Sequence, residues 1–156
     1  MTVLILGVGN LLLGDEGVGV HAVRYLQQNV PFLEENIHLV DGGTLGFTLA
    51  AEMAAAEGLV VIDAARLGGQ AGDVQLLEGE EMDRFVGRRD HTSVHEIGLR
   101  DLLATSRLLD ELPQQRALVG IEPYSFDWGE ELSSVVASAL PLACELALSQ
   151  SRSWSQ

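Results

Sequence analysis

Apolar and polar positions follow two periods along this chain. Short apolar runs at residues 3–8, 37–40, 59–62 and 117–121 are too brief for helices and read as buried strands. Between them the apolar residues recur at helical spacing. Residues 17–28 carry the stripe Val18, Val20, Ala22, Val23 and Leu26, 45–56 is alanine-rich, and 96–109 places Ile97, Leu102, Leu103 and Leu108 on one pattern. The alternation predicts a layered α/β domain. Asp41-Gly42-Gly43-Thr44 reads as the turn after the second strand, with Thr44 as the N-cap of the next helix. Residues 66–73, with three glycines, read as a loop, 74–77 as a short strand of open direction, and 87–92 as a charged, exposed connection. A closing helix is expected from Ser133, as N-cap, to Ser149, with Pro141 kinking it or removing one hydrogen bond. Residues 1–150 then form one domain, and 151–156 a flexible tail.

Right-handed strand-helix-strand connections place the loops that follow parallel strands along one sheet edge, where ligands gather. Residues 9–16, 41–44, 63–69 and 122–130 are those loops. Asp15 and Glu16 stand where a helix begins, and carboxylates suit the positive end of its dipole. Asp63 ends the run Leu59-Val60-Val61-Ile62, and His95 opens a helical pattern. Each has an ordinary structural explanation when taken singly. Two carboxylates and an imidazole converging from three segments would make a donor set suited to divalent nickel, zinc or cobalt.

Other chemistries are disfavoured. Gly7-Val8-Gly9 suggests a dinucleotide turn, but the third glycine of that fingerprint falls on Leu12, and Asp15 and Glu16 would stand where phosphates must lie. His95-Glu96 suggests a zinc peptidase helix, but the second histidine is replaced by Leu99. His91 is read as a loop residue. At 156 residues and 47% hydrophobic the chain is large enough for one core. Its net charge of -14 argues against nucleic acid or anionic lipid, and would draw a cation or a basic peptide segment instead. Cys144 is alone and sits in an apolar stretch, which fits an inert, buried thiol. Neither a membrane span nor a basic leader is visible, so a cytoplasmic location is expected.

The segments GVGNLLLGDEGVG, VDGGT, VVIDA, HEIGLRDLL and VGIEP, in this order, resemble the NiFe hydrogenase maturation proteases over Val3 to about Leu148. The resemblance implies a three-layer α/β/α fold with a five-stranded, mostly parallel twisted sheet, whose one antiparallel strand would be 74–77. It implies an endopeptidase that removes the C-terminal extension of the hydrogenase large-subunit precursor after nickel insertion. The metal ligands of that family fall on Glu16, Asp63 and His95, and Asp41, Gly42, Gly43 and Thr44 match a segment associated with the substrate cleft. Nickel would arrive with the precursor rather than reside in the protease, and a monomer is expected. His91 matches no family role, and no nucleophile stands out. A non-catalytic chaperone using the same ligands is the alternative reading.

Overall fold

A computed structural model describes residues 1–43, 47–88 and 94–156, with only the backbone for 47, 48 and 94–98. Thr44 and His91 lie outside the described residues. The expected three layers are present. A five-stranded sheet runs in the order β2-β1-β3-β5-β4, from β1 (Val3–Val8), β2 (Ile37–Gly43), β3 (Gly58–Ala64), β4 (Val74–Glu78) and β5 (Gln115–Ile121). All neighbours are parallel except β4 with β5, so the short strand is the antiparallel one. β1 and β3 are buried along their whole length, which is why they read as unbroken apolar runs. The edge strands β2 and β4 are buried at single positions only.

Strand alternation divides the core into two. Val3, Ile5, Val60 and Ile62 pack with α1 (Val18–Asn29) and α5 (Ser134–Trp154). Leu4, Leu6, Val8, Leu59 and Val61 pack on the other side with α2 (Phe47–Ala55), α3 (Glu80–Val86) and α4 (Val94–Leu108). The chain leaves β1 toward β2 on one side and then crosses to β3 on the other, so the strand order reverses between β1 and β3. That reversal opens the sheet edge to a ligand.

Four elements differ from the sequence reading. Asp41, Gly42 and Gly43 extend β2 instead of turning, because β1 accommodates them with a register shift at Gly7/Val8. A short 3-10 segment, Gly14–Gly17, precedes α1. The helix α3 was not expected from the sequence. The expected tail is helical to Trp154: Ser151 is fully buried, and Trp154 packs on the core beside Gly58. Cys144 is buried as expected, and burial pushes its thiol up to about 12. Among the described residues no helix is long and apolar enough to cross a membrane.

Candidate active site

At the reversal point β1 and β3 separate. Their ladder ends at Gly7 opposite Ile62, while β3 continues through Asp63 and Ala64 against Gly120 and Ile121 of β5. The 3-10 segment and the first turn of α1 press into the gap. Gly19 lies so close that a Cβ there would collide with the carbonyl oxygens of Ile62 and Val8, and a Cβ on Gly9 would collide with the Glu16 carbonyl. The glycines expected to cradle no phosphate are thus used for close chain packing. As a result Glu16, three residues before Gly19, and Asp63, directly after Ile62, share one corner of the carboxyl edge. Both are buried.

Asp63 keeps the parity of Leu59 and Val61, and so belongs to the face covered by α4. The last turn of α4 is tied to the opposite edge, where Asp83 of α3 accepts from Arg107 and, at 2.9 and 2.6 Å, from Arg116 near the start of β5. With 15 residues α4 extends about 22 Å. That length is comparable with the height of the strands, so α4 is long enough to reach from that edge to the carboxyl edge. Independently, Arg88, just beyond α3, donates to the carbonyl of Arg66 just beyond β3, at 3.1 Å. His95 is the second residue of α4, at the end of the helix away from Arg107. The His95 side chain is outside the described residues, and among the described ones no cluster of three His, Cys, Asp or Glu forms a metal site.

Asp41, Gly42 and Gly43 lie at the same edge beside β1. Gly43 N donates to Asp41 Oδ1 at 3.0 Å, and Gly9 N donates to the Gly43 carbonyl at 3.1 Å, which ties the end of β2 to the loop leading to Glu16.

Two acids organise this rim: Asp15, read from the sequence only as complementing a helix dipole, and Glu122, which the sequence reading did not single out. Asp15, only 1% exposed, accepts from Tyr124 N, Ser125 N and Ser133 Oγ on Oδ2 and from Ser133 N on Oδ1, at 2.8–3.0 Å. Ser133 is at the start of α5 as expected, but its hydroxyl serves Asp15 rather than capping the helix. Glu122 accepts from Leu67 N at 3.1 Å and Gly69 N at 3.0 Å, folding the loop after β3 against the end of β5.

Comparison with known proteins agrees with the fold and the motifs. Residues 20–150 match the family model described as hydrogenase maturation protease. The chain is 33% identical to the hydrogenase expression/formation protein HupD of Rhizobium leguminosarum bv. viciae, covering 97% of this chain and 75% of the relative. It is 35% identical to the hydrogenase 2 maturation protease of Escherichia coli K12, covering 97% and 92%. Among solved structures, the hydrogenase maturating endopeptidase HybD from E. coli superposes with a TM-score of 0.90 at 34% identity, over 98% of this chain and 93% of that one. The HybD protease from Thermococcus kodakarensis gives 0.77 at 31% identity, over 94% and 97%.

Proposed function

This chain belongs to the hydrogenase maturation protease family, and on that premise we propose that it is the endopeptidase that trims the C-terminal extension of a NiFe hydrogenase large-subunit precursor already loaded with nickel. The reading rests on one observation above the others: two buried carboxylates, Glu16 and Asp63, share the corner where the sheet reverses.

In this reading the ion belongs to the substrate. Glu16, Asp63 and His95 contact nickel carried by the precursor, for which carboxylate oxygen and imidazole nitrogen are suitable donors. Loading then becomes a condition of recognition, and the clamp turns binding energy into orientation of the scissile peptide. Nickel so held also supplies Lewis acidity toward a carbonyl or a water. Asp41, Gly42 and Gly43 line the path of the peptide along the end of β2, and Thr44 is assigned to the same segment by the resemblance alone. The protease acts as a monomer and keeps no metal between turnovers.

The test uses purified precursor with and without nickel and mass spectrometry of the released peptide. Glu16→Gln, Asp63→Asn and His95→Gln are expected to fold and to lose processing of the loaded precursor by at least about a hundredfold, equivalent to roughly 3 kcal/mol of transition-state stabilisation. Full trimming by all three variants, or equal trimming of unloaded precursor, would refute the reading. Tight binding with no released fragment would make the protein a chaperone instead.

A further inference from the structure

The loop between β5 and α5 exposes two large aromatic side chains beside the candidate site, and nothing in the proposed chemistry uses them. Tyr124 is 73% and Trp128 83% exposed, and Leu12 on the neighbouring loop is 50% exposed. Isolated apolar residues on a surface are ordinary. Here the two loops that carry them are joined by backbone: Gly129 N donates to the Leu12 carbonyl at 2.9 Å, and Gly14 N donates to the Gly129 carbonyl at 2.8 Å.

The platform is also rigidly supported. Asp15 holds Tyr124 N and Ser125 N from below, and His21 of α1 bonds the Glu130 carbonyl at 3.0 Å. Ordering cost has been met before any partner arrives. Glu16 follows directly on Asp15, so the platform continues into the candidate site.

Charge indicates what it receives. Asp127, Glu130 and Glu131 are exposed and bracket Trp128. An exposed aromatic side chain flanked in the chain by carboxylates attracts a cation through the ring quadrupole and through Coulomb forces together. The same loop already shows this chemistry within the chain: the Arg66 guanidinium lies 5.2 Å from the centre of the Phe126 ring.

We propose that Leu12, Tyr124 and Trp128 form the docking platform for a segment of the precursor in which a lysine or arginine neighbours an apolar side chain, the cation lying over Trp128 among Asp127, Glu130 and Glu131. The proposal rests on the precursor being the substrate and names how it is held outside the metal corner.

The chain has two tryptophans, Trp128 and the core-packed Trp154, which makes fluorotryptophan labelling and fluorine NMR decisive without any cleavage. Unlabelled nickel-loaded precursor is expected to shift the Trp128 resonance and leave that of Trp154 in place. In kinetics, Trp128→Ala is expected to raise KM about tenfold, with a much smaller effect on kcat, and Trp128→Phe to recover most of the loss. Glu130→Gln with Glu131→Gln is expected to raise KM about threefold and to flatten its salt dependence. An unmoved Trp128 resonance at saturating precursor, or unchanged KM in a Tyr124→Ala/Trp128→Ala variant, would overturn the platform while leaving the endopeptidase reading intact. A Trp128 shift that depends on the concentration of this chain alone would overturn it in favour of self-association. A precursor-induced shift without any released fragment would support the platform and defeat the endopeptidase reading.

Discussion

Asp15 and Glu16 are neighbours of the same charge type with separate tasks. Asp15 takes up four donors from the loop and helix start 109–118 residues further along the chain, and its acceptor capacity is fully used by the fold. Glu16 takes none of those four donors and is buried where β1 and β3 separate. Because the donors around Asp15 are N–H and O–H groups, an amide in its place would direct an NH2 at one set of them. Asp15→Asn is expected to cost about 3 kcal/mol, read from urea unfolding at neutral pH, through the loss of charge-assisted hydrogen bonds. Glu16→Gln leaves that network untouched and is expected to cost less than about 1 kcal/mol. A stability loss in Glu16→Gln equal to that in Asp15→Asn would show that the two acids share the structural task. Glu16 and Asp63 could be named as candidates from the sequence because each stands in a segment that follows a strand. The partners of Asp15 and Glu122 could not, since they are backbone groups whose proximity exists only after β1, β3 and β5 assemble.

At the level of elements, long buried strands and amphipathic helices were readable because burial on one or both faces leaves a period in the sequence. The errors fall where that period is absent. α3 has seven residues, four of them charged, and buries only Met82 and Val86, so its local pattern resembles a solvated loop. What holds it is a tertiary ion pair: Asp83 receives Arg116 and Arg107. The Arg116 hydrogen bond is the main cause of a carboxyl held below its ordinary value, with the Arg107 contact adding to it against some desolvation. A depressed carboxyl stabilises the fold above its unfolded pKa, about 4, and that gain disappears as pH falls through the lower folded value. Asp83→Asn is expected to be less stable than the native chain by about 2 kcal/mol at pH 7, with the difference constant down to about pH 5 and closing below pH 4. Urea midpoints of both proteins between pH 7 and 2.5 test this; a difference that widened in acid would reverse the assignment.

The end of α5 follows the same logic. Serines and a single arginine over 151–155 read as a fraying terminus, yet Ser151 is fully buried and Trp154 closes the core over Gly58 at the amino end of β3. Removing residues 151–156, or changing Trp154→Ala alone, is expected to destabilise the domain by about 2 kcal/mol or more, less than a fully buried tryptophan because this one is only partly buried. A true tail would give no change in the thermal midpoint. The helix itself tolerates Pro141, which the sequence identified as a kink or a missing hydrogen bond, because the flanking turns are anchored by Val136, Ala143 and Cys144.

For the molecule as a whole, the -14 charge sets the range over which a substrate is felt. All nine basic residues are arginines, and six of them fall between positions 84 and 116, so most of the negative field arises from the rest of the surface, including the acids around Trp128. A metal clamp acts over bond lengths, whereas this field reaches about 10 Å at 0.1 M salt and about 3 Å at 1 M. The two contributions therefore separate by ionic strength. If a cationic segment of the precursor docks beside Trp128, raising monovalent salt from 0.05 to about 0.5 M is expected to lower kcat/KM several-fold through KM and the association rate, while single-turnover cleavage of the preformed complex changes little. Processing that is indifferent to salt would leave recognition to the metal corner and apolar contact alone. A fall confined to the single-turnover rate would place the electrostatic demand in the cleavage step, where the carboxylates of Glu16 and Asp63, and not the surface around them, would have to account for it.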